Sequence, residues 1–554
     1  MSKERLIYMP LGGAGEIGMN TYVYGWGAPG KERLILADLG VTFPDMESSP
    51  GVNLIMADID WLAARADRID GIFITHAHMD HIGAVGHLWD RLKAPIYARA
   101  FTGHHARRMV EEHGIDPEVV QITPAWPDTV KVGPFTVGFA PISHSIPESS
   151  ALIIDTPVRR IVHTGDFKLD ETPLVGEPFD EAFWSDMGKS GVHALVCDST
   201  NVFSPLAGRS EASVGPEIVK LVNDAPGMVV ATTFASNVAR VKTLADAGVE
   251  AGRSVCLLGR AMRRMIEAAV LTGVVENFPT TISPEQAEDI PRENLMLLVT
   301  GSQGERRAAS AALSRGKYMG LELADGDLFL FSSKTIPGNE KGVIRIMNAL
   351  SEKGVDVVDD SSNLYHVSGH ANRPDLERMH QLTKPKMVIP MHGEHRHLRE
   401  HAKIAEAGGA ASILAVNGAM LDLTNDTPKV AEYVETGRVY LDGSAKIGAM
   451  DGVVRDRLRM GMNGHVIVSL IMEDDEAVGE PWVDLMGLPE QGTSKAPLSD
   501  VLEEDLSQLI GRASRKKRAN DDSLEEDIRR AVRKTAEDEI GKKPQVTVVI
   551  SRLS

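Results

Sequence analysis

The sequence predicts an α/β protein of several domains, and three observations support this prediction. The chain has 554 residues, more than the roughly 250–300 that a single hydrophobic core accommodates. Short apolar strand patterns crowd the region up to residue 200, which favours an α/β sandwich over a regular alternation of strands and helices. From about residue 208, helical and strand patterns alternate, which is typical of a parallel sheet in a second domain.

The strand patterns of the first domain are short apolar or alternating runs that end at Gly, Pro, Asp or Asn. They predict strands at 6–11, 21–25, 34–38, 71–75, 96–98, 130–139, 151–155, 161–164 and 194–198. In the second domain, helices are predicted at 217–223, 237–248 and 260–271, with strands at 228–233, 254–258, 295–300 and 327–332.

A histidine-rich stretch returns at 364–421, so the second domain is predicted to be inserted into the first. The predicted boundaries are 1–208 and 362–447 for the two parts of the first domain, 209–361 for the insertion, and 448–554 for a linker and a small α+β domain. This last domain is predicted to hold strands at 465–472 and 545–553 and helices at 498–510 and 524–540. Ser523 and Glu526 match a capping box, and residues 512–518 form a basic segment that we expect to be exposed.

The composition is that of a soluble globular protein, with 43% hydrophobic and 25% charged residues. Its two cysteines, Cys197 and Cys256, exclude a disulfide framework and a cysteine-based zinc site, which fits a reducing compartment.

The N-terminus lacks a signal-peptide pattern, and no apolar run approaches the roughly 20 residues that cross a bilayer, so we expect a cytoplasmic protein without a membrane partner. The net charge of −19 argues against nonspecific coating of nucleic acid, but not against an enzyme that draws one strand into a metal-lined channel.

The glycine motif from Gly13 to Gly18 matches a dinucleotide-binding fingerprint, with Asp38 at the expected distance. However, the fingerprint requires a helix after the glycines, and the following residues, 19–27, are rich in aromatic and β-branched types. We therefore predict a tight hairpin between two strands at this point.

Candidate metal ligands follow the predicted strand 71–75: His76, His78, Asp80 and His81. Imidazole and carboxylate groups are good ligands for zinc and similar ions. One loop cannot complete two coordination spheres, and His144, Asp166 and His392 each come just after another predicted strand. The carboxylate of Asp166 is of a type that can bridge two metals.

The alternatives to a two-metal site are a surface histidine cluster or a single structural zinc. Four further histidines could compete as ligands, and spacing alone does not choose among them: His163, His193, His395 and His397.

These motifs resemble the ordered motifs of the metallo-β-lactamase superfamily, in which an aspartate matching Asp38 orients the histidine loop. Asp198 in CDSTN, His370 in VSGHA and His392 in PMHGE are similar to the additional motifs of the β-CASP nucleases. Residues 5–450 as a whole resemble the bacterial ribonuclease J family, and the remaining tail resembles its small C-terminal domain. The resemblance implies a metallo-β-lactamase αββα sandwich with an inserted β-CASP domain and a small α+β C-terminal domain.

The resemblance also implies roles for individual residues. One zinc would be held by His76, His78, His144 and Asp166, and a second by Asp80, His81, Asp166 and His392, with Mn²⁺ or Mg²⁺ as alternatives. Catalytic roles fall to Asp80, Asp198 and His370, with His370 as proton donor to the leaving 3′-oxygen; a structural His370–Asp198 hydrogen bond is the alternative. A 5′-phosphate would be bound by Ser236, Asn237, Ser368 and His370, unless Ser236 and Asn237 only cap a helix.

The expected activity is 5′→3′ exonucleolytic degradation of single-stranded RNA with a 5′-monophosphate, together with endonucleolytic cleavage, in RNA decay, RNA maturation and rRNA processing. The resemblance further implies a homodimer or homotetramer and leaves open which proteins of an RNA-degradation complex it contacts. Three alternatives remain at this point: a nuclease acting on DNA, a hydrolase of small esters, and a non-catalytic RNA-binding subunit.

Overall fold

A computed structural model describes residues 4–553, and these divide into two compact units. The first comprises the residues up to 42 together with 56–437, and the second comprises 43–55 together with 438–553. Two short strands, Val41–Thr42 and Leu54–Ala57, lie where the chain passes between the units. Within residues 4–553, no helix combines the length and the apolar composition that crossing a bilayer requires.

The first unit contains two sheets whose facing sides share one apolar core. The eight-stranded sheet has the order Lys429–Tyr433, Ala419–Asp422, Arg5–Gly12, Thr21–Gly27, Arg33–Ala37, Ile69–Phe73, Ile96–Ala98, Val120–Ile122. The seven-stranded sheet has the order Val130–Val132, Phe135–Pro141, Ser150–Asp155, Arg160–His163, Ala194–Asp198, Met387–Met391, Ala411–Ser412. Tyr8 and Phe73 of the first sheet pack in the same buried cluster as Phe139 and Ile389 of the second.

Helices cover the outer sides of these sheets. Trp184, Leu376 and Ile404 carry the apolar faces of three helices onto the seven-stranded sheet. Those helices are Glu181–Lys189, Arg373–Thr383 and His395–Ala407. The remaining helices of this part are Asp60–Ala63, Met79–Ile82, Val85–Leu92 and Ala100–Glu111. The last of these contacts two edge strands of the eight-stranded sheet. The layers are therefore helix, sheet, sheet and helix.

The glycine motif joins two antiparallel strands, as predicted. Arg5–Gly12 pairs with Thr21–Gly27, and no helix lies between them. The turn requires glycine because a Cβ on Gly12 would lie only 1.9 Å from the carbonyl oxygen of Met19. The motif is a hairpin connection and lacks the helix N-terminus that a dinucleotide phosphate needs.

A third sheet is formed by the middle of the chain, and its five strands are all parallel. Its order is Ser254–Leu258, Leu295–Val299, Val229–Thr232, Leu328–Phe331, Asp356–Val358. Apolar clusters bury both of its faces under helices, as parallel sheets require. The helices are Gly215–Asp224, Val238–Glu250, Arg260–Leu271, Pro284–Ala287, Ala309–Arg315 and Glu340–Ser351. The predicted alternation of helices and strands is confirmed here, while the predicted domain boundaries stay predictions.

The second unit is an α+β fold. One of its sheets contains the strands Glu476–Ala477, His465–Glu473, Trp482–Met486 and Gln545–Leu553, and the antiparallel strands Arg438–Asp442 and Ala445–Gly448 belong to another sheet. Its helices are Val453–Asn463, Leu498–Arg512, Arg515–Arg518 and Asp521–Ile540. Val468 on the central strand packs against Leu502 and Ile528 of the two long helices.

The predicted capping box of the last long helix is wrong. The helix begins at Asp521, so Ser523 lies inside its first turn, and Asn520 is the cap whose side chain accepts the backbone N–H of Ser523. Asparagine is itself a favoured cap, and it allows the helix to begin one turn earlier. The basic segment before this helix is mostly exposed, as predicted.

Candidate active site

The predicted ligand loop lies between a strand and a short helix. Strand Ile69–Phe73 ends before the loop, and helix Met79–Ile82 begins within it. The change from extended to helical backbone points the side chains in two directions. His76 and His78 precede the helix, whereas Asp80 and His81 lie within it.

Asp38 fixes this loop from the neighbouring strand. Because Arg33–Ala37 runs parallel to Ile69–Phe73, the residue after its end lies beside the loop. Asp38 is fully buried, and its Oδ1 accepts the backbone N–H of Thr75 at 2.8 Å. Its Oδ2 accepts a hydrogen bond of 2.7 Å from His81 Nδ1, which leaves Nε2 of that ring with its lone pair facing inward.

Three imidazoles form one half of the site. The Nδ1 atom of His78 lies 3.1 Å from Nε2 of His76 and 3.1 Å from Nε2 of His144. Burial lowers the pKa of His78 to about 4 and places the pKa of the other two well below the ordinary value, so all three rings are neutral at pH 7. His144 Nδ1 donates to the carbonyl oxygen of Gly369 at 2.6 Å, so its lone pair faces the other two rings.

Asp166 lies at the centre of the other half. Its Oδ2 is 3.2 Å from His81 Nε2 and 3.3 Å from His392 Nε2, and it also lies 3.9 Å from His76 Nε2. Asp80 Oδ2 approaches the same two nitrogens at 3.6 and 3.7 Å. Burial alone would lower the pKa of His81 and His392, but the carboxylates, Asp166 first, raise the pKa of both. This half therefore attracts positive charge.

The donor set fits two divalent cations. In the imidazole half, His78 Nδ1 lies close to two other nitrogens and can share a proton with only one of them, so at least one of the two contacts has no hydrogen bond. In the carboxylate half, Oδ1 of Asp166 is buried and accepts no hydrogen bond within residues 4–553. A cation in each half would satisfy both groups, and Asp166 lies where both could share it. Nitrogen and carboxylate oxygen ligands are those that zinc and manganese accept.

Asn20, which the sequence patterns do not single out, contacts three of these ligands: His392, Asp80 and His81, whose Nε2 lies 3.0 Å from the amide nitrogen of Asn20. Its buried side-chain oxygen accepts hydrogen bonds from His392 Nδ1 at 2.8 Å and from the hydroxyl of Tyr22 at 2.7 Å. Its amide nitrogen lies 3.4 Å from Asp80 Oδ2. Its one signal in the sequence is its place directly after the glycine motif, and that position does not reveal partners 60 and 372 residues away.

The predicted catalytic pair lies beside the carboxylate half. Asp198 ends strand Ala194–Asp198, and its Oδ2 accepts a hydrogen bond of 2.8 Å from His370 Nδ1. Burial alone would lower the pKa of His370, but the carboxylate of Asp198, followed by those of Asp166 and Asp80, raises it to about 9. The same nitrogen lies 4.0 Å from Asp166 Oδ2. The imidazolium is therefore next to the proposed metal ligands.

The residues predicted to bind a 5′-phosphate divide into two kinds. Asn237 caps helix Val238–Glu250, and its side-chain oxygen accepts the backbone N–H of Arg240 at 3.0 Å, as in the capping alternative. Ser236 does not cap the helix, because its hydroxyl lies 3.1 Å from His78 Nε2. The hydroxyl oxygen of Ser368 accepts the backbone N–H of His370 at 3.1 Å. Ser236 and Ser368 are thus each adjacent to a side chain of the site.

The four competing histidines lie outside the ligand clusters that residues 4–553 form. His163 Nδ1 is 2.9 Å from the hydroxyl of Tyr24, and His193 Nε2 donates to the carbonyl oxygen of Leu423. His397 packs within 5.3 Å of the ring of an exposed phenylalanine, and His395 is exposed. The structure therefore places these four histidines outside the clusters that the ligand candidates form.

Family models of known proteins match four segments of the chain. The beta-lactamase superfamily domain matches residues 48–186, and the ribonuclease J beta-CASP domain matches 226–350. A Zn-dependent metallo-hydrolase RNA specificity domain matches 354–415, and the ribonuclease J C-terminal domain matches 452–553. Ribonuclease J of Sinorhizobium meliloti is 40% identical over 99% of this chain and 98% of its own length. The chain belongs to the ribonuclease J family.

A second ribonuclease J, from Thermus thermophilus, is 32% identical over 86% of this chain and 84% of its own length. A crystal structure of an Enterococcus faecalis protein of unknown function covers 76% of this chain and 100% of its own, with a TM-score of 0.52 and 17% identity, so this likeness concerns the fold alone. As a member of the ribonuclease J family, the chain is a metal-dependent nuclease. The predicted metallo-β-lactamase fold with inserted β-CASP and C-terminal domains is confirmed.

Proposed function

We propose that this chain degrades single-stranded RNA in the 5′→3′ direction from a 5′-monophosphate end and also cuts RNA internally, in RNA decay and maturation, including rRNA processing. The observation that carries the proposal is the position of the His370–Asp198 pair, 4.0 Å from a carboxylate shared by both candidate metal sites. A leaving 3′-oxygen of RNA needs a proton, and the imidazolium of His370 lies beside the candidate metal ligands, where it can supply one.

The proposed cofactors are two Zn²⁺ ions, with Mn²⁺ or Mg²⁺ as alternatives, because sites of imidazoles and carboxylates accept several divalent ions. One ion would be held by His76, His78 and His144 together with Asp166, whose Oδ2 lies 3.9 Å from His76 Nε2 and 3.8 Å from His144 Nε2. The other would be held by Asp80, His81, Asp166 and His392. When bound, such ions neutralise negative charge on phosphate oxygens and make water a nucleophile at neutral pH. Asp38 and Asn20 orient the rings through their outward nitrogens.

In this proposal His370 donates a proton to the leaving 3′-oxygen. Asp198 supports that role because its carboxylate keeps the imidazole charged and fixes its orientation. Asp198 is itself held, since its Oδ1 accepts hydrogen bonds from the backbone and hydroxyl of Thr200 at 2.9 and 2.7 Å. Because His370 Nδ1 is bonded to Asp198, the proton for the leaving oxygen is the one on His370 Nε2.

The preference for a 5′-monophosphate would come from hydroxyl and imidazole donors beside the same site. Ser236 contacts His78, and Ser368 contacts the backbone of His370, so a terminal phosphate bound there lies close to the ligands. Asn237 supports this pocket through its amide nitrogen and through the helix that it caps. Its side-chain oxygen is already used by Arg240 N–H.

The test is a time course with one RNA carrying a 5′-monophosphate, a 5′-triphosphate or a 5′-hydroxyl, with a DNA strand of the same sequence and with a chelator control. We expect chelator-sensitive release of mononucleotides, fastest from the monophosphate. Ser236→Ala should reduce the ratio of rates between monophosphate and hydroxyl ends, whereas Ser190→Ala, a serine bonded to Arg160 and Met187 instead, should not. Equal rates for all three ends would contradict the end preference, and cleavage of DNA alone would contradict the choice of RNA.

We further propose that the protein acts in the cytoplasm as a homodimer or homotetramer, and that it joins other proteins in RNA degradation. Light scattering on the purified protein tests the oligomeric state. A single species of 60.0 kDa, the mass of one chain, would contradict it.

A further inference from the structure

A second cluster of metal-ligating side chains lies between the seven-stranded sheet and two helices that cover it. Cys197 is on strand Ala194–Asp198, His380 on helix Arg373–Thr383, and His401 on helix His395–Ala407. The sulfur and one nitrogen of each ring all lie within 4.8 Å of one another. Cys197 and His401 are fully buried. None of these residues belongs to the site of the preceding sections.

The two imidazoles face each other at the separation that a shared ion requires. Nε2 of His380 lies 3.1 Å from Nε2 of His401, and the ring planes differ by 7°. Two nitrogen ligands of a tetrahedral zinc are about 3.3 Å apart, given Zn–N bonds of about 2.0–2.1 Å. Burial lowers the pKa of His380 to about 4 and that of His401 well below its ordinary value, so both rings are neutral ligands at pH 7.

Ser199 determines which nitrogen of His401 carries the lone pair. The hydroxyl of Ser199 donates to the carbonyl oxygen of Cys197 at 3.4 Å, so its oxygen is available to accept. His401 Nδ1 lies 2.9 Å from that oxygen, and in the tautomer that binds a metal through Nε2 it donates to that oxygen. Nε2 of His401 therefore carries a lone pair that faces the cluster. An outward N–H bonded to an oxygen is the arrangement that orients histidine ligands in metal sites.

A pair of histidines without an ion would also be satisfied, by one proton between the two nitrogens. What distinguishes this cluster from such a pair is that the sulfur of Cys197 lies within 4.8 Å of a nitrogen of each ring. Cys197 points its side chain into the helix-covered core, away from the site that its neighbour Asp198 faces. Three ligand atoms from three separate elements thus converge at one buried point.

We propose that Cys197, His380 and His401 bind a zinc ion that is distinct from the catalytic metals. The small number of cysteines excludes only a site built mainly from cysteine, and here histidines supply two of the three ligands. Binding replaces the S–H bond of Cys197 with a bond from sulfur to zinc, and the proton passes to solvent, without oxidation or reduction. Three protein ligands leave the fourth position of a tetrahedral ion for water. The ion would join helices Arg373–Thr383 and His395–Ala407 to the sheet and would therefore have a structural role.

Cobalt substitution tests the site through its thiolate. The full-length protein is produced in minimal medium supplemented with Co²⁺, and its near-ultraviolet spectrum is recorded. The catalytic ligands contain no sulfur, so a sulfur-to-cobalt charge-transfer band reports only on a cysteine. We expect the band in the unmodified protein and in Cys256→Ser, the matched control at the chain's other cysteine, and its loss in Cys197→Ser. Zinc analysis of protein grown without cobalt should show one ion fewer per chain in Cys197→Ser.

Absence of the band from the unmodified protein would overturn the proposal, and so would a band that survives in Cys197→Ser. If Cys197→Ser does not fold, His380→Gln replaces it. We expect that variant to shift or lose the cobalt band and to carry one zinc fewer. A spectrum and a zinc content identical to those of the unmodified protein would exclude His380 as a ligand and contradict the site.

Discussion

His370 Nδ1 donates a hydrogen bond of 2.8 Å to Asp198 Oδ2, which joins segments 172 residues apart in the chain. Thr200 holds the other oxygen of the carboxylate, so Asp198 cannot rotate away from the ring without losing two hydrogen bonds. The pair fixes the imidazole in one orientation and keeps its pKa at about 9. An imidazole held in this way is suited to donating a proton.

Replacing His370 with alanine should lower kcat by about 10²–10⁴-fold, which is the usual contribution of a positioned general acid. The bound metal should stay unchanged, because the ligand candidates His76, His78 and His81 keep their contacts. The measurement combines single-turnover RNA cleavage with metal analysis of the purified variant. The control is His395→Ala at an exposed position. Loss of a metal ion from His370→Ala would make His370 a ligand rather than a proton donor.

Replacing Asp38 with asparagine should weaken metal binding by about 10–100-fold, as removal of an outer partner of a histidine ligand commonly does. An amide NH₂ group would face either the N–H of Thr75 or that of His81, so one hydrogen bond is lost and a repulsion is added. Competition with a chromophoric chelator measures the affinity. Asp186→Asn, an aspartate whose side chain is 73% exposed, provides the matched control and should bind metal as the unmodified protein does.

Arg240 carries a buried charge that its partners neutralise. The side chain is fully buried and donates to both oxygens of Glu211, at 2.6 and 3.0 Å, and to the carbonyl oxygen of Tyr365 at 3.0 Å. Arg240→Met should lower the free energy of unfolding by about 3–5 kcal/mol, because it leaves the buried Glu211 carboxylate with only Lys168 Nζ, 3.9 Å away, as a charged partner. Urea unfolding measures the change.

Two variants serve as controls for this loss. The Lys220–Asp224 pair is exposed, so Lys220→Met should change the free energy of unfolding by less than about 1 kcal/mol. The double variant Arg240→Met with Glu211→Leu should be more stable than Arg240→Met alone, since it removes both charges. A double variant that is less stable than the single one would contradict this account.

His105, which lies away from the metal site, should make the stability of the protein depend on pH. Burial, followed by its neighbours His104 and Arg108, lowers its pKa from 6.5 to about 4. Between these values the unfolded chain binds a proton that the folded chain does not, so stability is lost as the pH falls from 6.5 towards 4. His105→Leu should remove on the order of 2 kcal/mol of the difference in unfolding free energy between pH 7 and pH 5.

Urea unfolding at several pH values from 7 to 5 provides the measurement for His105. The matched control is His395→Gln, which changes an exposed histidine and should keep the pH dependence of the unmodified protein. An unchanged pH dependence in His105→Leu would show that other groups cause the loss of stability in acid.

The sequence predicts helices and strands well where buried apolar residues recur at regular intervals along the chain. The helix predicted at 260–271 coincides with Arg260–Leu271, and the strand predicted at 545–553 coincides with Gln545–Leu553, because apolar periodicity reports directly on the buried face. The capping motif predicts the cap of the last helix at Ser523, and this is wrong because such a local motif fits more than one starting point. Only the tertiary structure selects Asn520.

Sequence patterns do not predict contacts between segments that lie far apart in the chain. Asn20 meets His392 across 372 residues, and Cys197 meets two histidines on helices that follow it by more than 180 positions. A motif describes neighbours in the chain, whereas these contacts depend on which strands pair and which helix covers them. The ligand candidates each follow a strand, and strand ends on one edge of a sheet meet, but the choice among the histidines rests on the resemblance to the metallo-β-lactamase motifs.

The outward nitrogens of three ligand candidates already have protein partners: His81 has Asp38, His144 has the carbonyl of Gly369, and His392 has Asn20. None of these bonds involves an ion, so folding alone sets the angle of each ring. Little conformational entropy then remains to be lost when a cation arrives. One divalent ion could replace another without any refolding, and the supply of metals in the cell would determine which metal the enzyme carries.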